Sequence, residues 1–148
     1  MLIPKYPANT PTAKITTALE ESGCVVVTGL MDTKLRQTVT DELAPHMERT
    51  RVIVDDDPEA FYPGKTKRLT ALLTRSVAVT DCLIAHPISQ KVCERTLLPN
   101  SEHGYQLHVT AALEVGPGSR AQVLHREEDS FPFFPLPRPN LIIASMWA

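Results

Sequence analysis

The apolar residues of this chain change their prevailing period after about residue 98, and the change points to the fold class. Up to about residue 98 they return every third or fourth position, as on one face of a helix; in Tyr105–Val115 they alternate, as on one face of a strand. Helices followed by strands give an α+β chain. At 148 residues it is expected to be one domain with one core, 1–98 mainly helical and 105–148 built from strands.

Within the first part, residues 1–10 read as an irregular lead-in. Thr10 caps a helix that opens at Pro11, carries Ile15 and Leu19 on one face and stops at Gly23. The β-branched run Cys24–Thr28, closed by Gly29, reads as a buried strand. Asp32 then caps a helix of about 16 residues, along which Leu35, Val39, Leu43 and Met47 repeat every fourth position, with Pro45 near its end. Turn residues make 51–67 an exposed loop. Its Asp55, Asp56 and Asp57 could attract a cation, but three successive carboxylates do not converge on one point, so a solvated loop is expected. From Leu69 to Leu98, Leu72, Leu73, Val79, Leu83, Val92 and Leu97 keep helical spacing, and Pro87 divides two helices.

In the second part, the odd positions of Tyr105–Val115 are expected to form the dry face, leaving Gln106, His108, Thr110 and Glu114 on the other. A turn at Gly116–Ser119 follows. The proline-rich loop Phe131–Pro139 leads to a third strand, Leu141–Trp147.

Candidate chemistry gathers after the turn, in Gln122-Val123-Leu124-His125-Arg126-Glu127-Glu128-Asp129. In extended backbone, residues i and i+2 share a side, so His125 and Glu127 are placed to grip one ion together. They supply two thirds of the two-histidine, one-carboxylate set that holds non-haem iron(II). His108 is the upstream histidine best placed to add a third ligand, whereas His46, His86 and His103 fall on a helix, a helix junction and a loop, where surface or capping roles are expected. Arg68 and Arg75 read either as facing a substrate or as pairing with Asp or Glu on a helix surface.

Charge narrows the partners. Fifteen basic and 17 acidic residues are dispersed for a net charge of −2, which offers no footprint for nucleic acid or an anionic membrane, so a small molecule is the expected partner. Cys24, Cys82 and Cys93 are odd in number and far apart, which suits a reducing compartment. No apolar signal core and no run of about 20 apolar residues is present, and a cytoplasmic location is expected.

Several stretches together carry a resemblance: Gly23–Leu30, Thr66–Ser76, Gly116-Pro117-Gly118, then Gln122-x-Leu124-His125-Arg126 with a carboxylate after it, and Met146-Trp147-Ala148. The sequence resembles the phytanoyl-CoA dioxygenase family of iron(II)- and 2-oxoglutarate-dependent oxygenases, especially its microbial and fungal branch that oxidises alkaloids and other secondary metabolites. The resemblance implies helices packed on a double-stranded β-helix, a jelly-roll-like barrel, here incomplete. It also implies Fe(II) and 2-oxoglutarate as cofactors, His125 as the proximal iron ligand, Glu127 at the carboxylate position and Gln122 beside 2-oxoglutarate. The chain has Glu127 where the family has aspartate, and the family's distal histidine and its 2-oxoglutarate-binding arginine lie downstream of the strand that ends this sequence. The expectation is therefore a truncated dioxygenase-like chain, inactive in isolation. Two alternatives stand beside it: an active oxygenase completed by a second chain or an unread exon, and a non-catalytic small-molecule-binding or scaffold protein. An unpaired barrel edge would invite self-association or a complementing chain.

Overall fold

A computed structural model describes residues 2–54 and 60–148. The acidic trio at 55–57 lies outside the described residues. Among the described residues four short strands and three α-helices alternate with short 3₁₀ and π-helical pieces, so the α+β expectation holds. The strands form two separate two-stranded sheets, and no jelly-roll barrel closes among the described residues.

The first unit is a small β–α–β arrangement. Strand β1 (Lys5–Pro7) pairs in parallel with β2 (Val26–Thr28), and α1 (Thr12–Ser22) makes the crossover. From sequence the lead-in is irregular, because a strand of three residues is too short to show a period. Pro11 rather than Thr10 precedes α1, and its carbonyl accepts from Lys14 and Ile15 at 2.9 and 3.3 Å. Gly23 ends the helix as expected, at φ 73°, donating its N–H to the Leu19 carbonyl. Ile15 and Ala18 are buried, and α1 packs against α3 (Pro87–Leu97).

The second unit holds the core. Helix α2 (Thr33–Arg49) begins where expected, with the Asp32 carboxylate accepting from Leu35 N–H at 2.7 Å. Its stripe of Leu35, Val39, Leu43 and Met47 packs against Leu69, Leu72, Val79 and Leu83. The spacing predicts a helix opening at Leu69. Instead Thr66–Thr70 is a strand, β3, extended at its outer edge by a bridge from Val52 to Lys67. The spacing of Leu69, Leu72 and Leu73 imitates a helix, but Ala71 between them is left-handed at φ 56°, which no α-helix of L-residues sustains. Leu72–Thr74 is a 3₁₀ turn, and Val79–Ile84 is a π-helix, in which Ala85 N–H reaches back to Thr80 O at 3.1 Å. Pro87 starts α3, as expected, in the position where its missing N–H costs nothing.

Strand β4 (Ala111–Val115) runs antiparallel to β3, and the residues before it, 105–110, lie outside the ladder. Its dry face is the reverse of the expected one. Leu107, Val109, Leu113 and Val115 are about half exposed or more, at 49–63%, while Ala112 packs on the core and Thr110 Oγ1 accepts from Leu72 N–H at 2.9 Å. The register explains it: Ala112 lies opposite Leu69, and residues opposite each other share a face, so inward Leu69 turns Ala112 inward, with Thr110 on the same side, while Glu114 at the far end stays exposed. Leu141–Trp147 forms no strand; Trp147 nevertheless reaches the core and lies 5.6 Å from the His86 ring.

Glu42 of α2 ties this core together. Its Oε2 accepts from Ser76 Oγ at 2.5 Å and from Ala78 N–H at 3.0 Å, while Ser76 Oγ accepts from Val79 N–H at 2.9 Å. The Ser76 hydroxyl first, and the Ala78 amide second, hold the Glu42 carboxyl below its ordinary value. A carboxylate lowered by folding adds stability above its unfolded value of about 4.3, and that stability is lost as pH falls through the lowered folded value. Thermal melts taken from about pH 6 down to about pH 3 are expected to fall more steeply for the wild-type chain than for Glu42→Gln. Equal slopes would remove Glu42 from this role.

Candidate functional site

The segment bearing His125 is held by an extension of the β3–β4 ribbon. Gly116 N–H donates to Lys65 O at 2.8 Å, Ser119 Oγ to Gly64 O at 2.8 Å, and Lys65 Nζ to Gly118 O at 3.4 Å. Further on, the Arg120 guanidinium donates to Ala60 O, and Gln122 Nε2 to Phe61 O at 3.3 Å. Two loops that lie about 60 residues apart in sequence are thus laced together through backbone carbonyls. Gly116 is required for this: a Cβ there would stand 2.7 Å from Lys65 O.

His125 and Glu127 are brought together. His125 Nε2 lies 3.6 Å from Glu127 Oε1, with the side chains 30% and 57% exposed. The route differs from the expected strand: only Arg126 between them is extended, at φ −112° and ψ 133°, and Glu127 already opens a 3₁₀ turn, Glu127–Ser130. One extended residue suffices to turn i and i+2 to the same side.

The other imidazole nitrogen decides what the pair can do. His125 Nδ1 lies 2.8 Å from Val123 O. A carbonyl only accepts, so Nδ1 carries the hydrogen, and in the neutral ring Nε2 presents a lone pair to the Glu127 carboxylate. Two acceptors facing each other need a proton or a cation between them. A ring N–H fixed on a backbone carbonyl is also how metal-bound histidines are oriented. Two donors each about 2.1 Å from an ion, at a right angle, stand about 3.0 Å apart, so a separation of 3.6 Å fits a metal after a small rotamer adjustment. The fit is that of a two-donor pair: no three of His, Cys, Asp and Glu converge on one point among the described residues.

The rest of the acidic run is structural. Glu128, with its side chain 14% exposed, accepts from Leu141 N–H at 3.0 Å and pairs with Arg126 and Arg138 at 3.6 and 3.8 Å, while Asp129 Oδ2 accepts from Arg126 N–H. Gln122 is exposed and spends its amide on Phe61 O, so it anchors the loop. His108 lies 5.9 Å from the Phe131 ring, His46 Nδ1 is 3.2 Å from the Arg75 guanidinium, and His86 caps α3 by accepting from Ile88 N–H. His103 sits in a bend. Neither arginine lies on a helix surface. Arg68, on β3, covers the Tyr62 ring at 4.9 Å, and Arg75 donates to Thr70 O.

Phe61 and Tyr62 escape the sequence reading. The Phe61 ring meets the His125 ring at 4.7 Å and 64°, and Tyr62 meets Phe61 at 4.8 Å and 89°. The one signal for them is an adjacent aromatic pair inside a stretch otherwise composed of turn residues.

No helix among the described residues is long and apolar enough to cross a membrane. No protein-family model matches the chain. It is 29% identical over 131 residues to the multifunctional dioxygenase ausE of Emericella nidulans, covering 88% of this chain and 43% of that protein. It is 28% identical over 137 residues to ausE of Aspergillus calidoustus, covering 92% and 45%. Dioxygenase FUM3 of Gibberella moniliformis is 28% identical over 131 residues, covering 84% and 44%. Over most of its length, then, the chain is similar to fungal proteins named dioxygenases, and it spans less than half of theirs.

Proposed function

We propose that this chain carries the proximal half of the metal site of an Fe(II)- and 2-oxoglutarate-dependent dioxygenase of the phytanoyl-CoA dioxygenase type, acting on a small organic molecule such as a fungal secondary metabolite. The observation that carries the proposal is the His125–Glu127 pair, with Nδ1–H committed to Val123 O and Nε2 facing the carboxylate at 3.6 Å. The dioxygenase relatives support it.

In this reading His125 and Glu127 hold the iron, which when bound supplies oxygen activation. Gln122 sits shortly before His125 and is the proposed contact to 2-oxoglutarate, a role for which its amide must leave Phe61 O. The barrel belongs to the same proposal: β3 and β4 are its first ribbon, and the edge of β4 away from β3 is where further strands, from this polypeptide or a complementing one, add. The two donors that converge among the described residues would hold an ion too weakly for turnover, so the chain by itself is proposed to be inactive, with activity drawing on a further protein donor.

Anaerobic titration of the purified chain with Fe(II) or Co(II) is the test. A weak 1:1 complex is expected, reduced at least tenfold by His125→Ala, with no succinate formed from 2-oxoglutarate. Metal binding that His125→Ala leaves untouched would sink the proposal, and succinate production by the 148-residue chain would overturn the inactivity.

A further inference from the structure

A ligand imidazole that is 30% exposed on an irregular segment needs something besides one hydrogen bond to hold its plane. The Val123 carbonyl fixes one point of the ring but leaves rotation about that bond. The second restraint is the edge-on contact with Phe61, whose ring centroid is 4.7 Å from that of His125. An aromatic pair in this tilted geometry is favoured over a parallel sandwich because the positive ring edge meets the negative face.

Phe61 is itself held from both sides. In the absence of 2-oxoglutarate its carbonyl accepts from Gln122, three residues before His125, so the ring that restrains the imidazole and the backbone that carries the imidazole are then tied to each other. Its other side meets Tyr62 edge to face, and Tyr62 is covered by the Arg68 guanidinium at 4.9 Å, on a strand anchored in the core by Leu69. Arg68, Tyr62, Phe61 and His125 form a chain of contacts, one cation over a ring and two edge-to-face ring pairs, running from β3 to the candidate ligand.

We infer that Phe61 is a positioning residue for His125: it sets the plane of the imidazole so that Nε2 points at the Glu127 carboxylate, and Tyr62 and Arg68 brace it from β3. For the metal it rests on the proposed iron site; for the imidazole it stands without one.

The experiment uses the metal-free chain and Co(II) as probe. In the metal-free protein, the imidazole nitrogen signals of His125 are expected to report the Nδ1-protonated tautomer in the wild type and in Phe61→Tyr, which restores the ring, and a mixture of tautomers in Phe61→Ala and Phe61→Leu, a change far larger than the loss of a neighbouring ring current produces. Co(II) affinity is expected to fall about tenfold in Phe61→Ala and to recover to within about twofold in Phe61→Tyr. A His125 tautomer left as in the wild type in both Phe61→Ala and Phe61→Leu would overturn the inference. If no variant and no wild-type chain binds Co(II), the iron reading fails, while the ring signals still decide whether Phe61 orients His125. Phe61 is 43% exposed, so loss of folding is not expected; if Phe61→Ala melts early, Phe61→Leu keeps the apolar bulk and its His125 signals decide the matter.

Discussion

Leu72→Ala is expected to destabilise the chain by about 2–5 kcal/mol, while Leu73→Ala costs about 0.5 kcal/mol or less. Leu72 is 6% exposed and sits in the cluster with Leu43, Leu69, Val79 and Leu83; Leu73, the next residue, is 47% exposed. Deleting the Leu72 side chain removes its burial and leaves a hole under α2, which cannot collapse because β3 on its other side is fixed by the β4 ladder. Set against a domain stability of about 5–15 kcal/mol, the first change consumes a large share and the second is scarcely seen. The contrast also tests the backbone. One α-helix through Leu69, Leu72 and Leu73 would put all three on a single apolar face, and equal costs in a urea titration would restore that reading against the strand and 3₁₀ turn.

Gly116→Ala is expected to destabilise the chain by about 1–3 kcal/mol. The new Cβ would stand 2.7 Å from Lys65 O, the atom to which Gly116 N–H donates. The obstacle is backbone, so no side chain can swing aside, and the two loops must part. Everything laced beyond that point follows: Ser119 to Gly64, Arg120 to Ala60, Gln122 to Phe61, and with them the Phe61–His125 contact. Amide exchange should show protection lost at Gly116 and kept at Lys65, whose own N–H is spent on Ile53 O on the opposite side. Metal affinity should fall with it. A melting temperature within about 1 °C of wild type, where 1 kcal/mol is worth about 2–4 °C, together with unaltered Co(II) binding, would show that the lacing does not hold the site.

What is legible in the sequence is what is local. The stripe on α2, its Asp32 cap, the left-handed Gly23 and the Pro87 helix start each depend on residues within a turn of one another, and each is found. β3 is missed from sequence: its first residues, Thr66 and Lys67, fall in a stretch that reads as exposed loop, and its end reads as helix because a 3.6-residue spacing constrains side chains only if the backbone between them is helical, and Ala71 is not. The inward face of β4 reads backwards because alternation identifies two faces without saying which is covered; the pairing of Ala112 with Leu69, 43 positions away in sequence, decides that. The candidate site divides the same way. His125 and Glu127 are two residues apart, and their adjacency is legible. The Phe61 ring is supplied by a loop far along the chain, and no spacing rule reaches it. Resemblance alone gives Gln122 a cosubstrate, and the folded chain gives its amide to a carbonyl of that same loop.

The outward-facing Leu107, Val109, Leu113 and Val115 bear on the solubility of the protein. Leu113 and Val115 lie on the outer face of β4, and Leu107 and Val109 on the irregular segment before it; a run of apolar side chains facing water in this way is an aggregation liability. The ribbon is thus the part of the molecule where apolar surface meets water most directly, and polar substitutions at Leu113 and Val115 are the ones expected to raise solubility without touching the buried cluster.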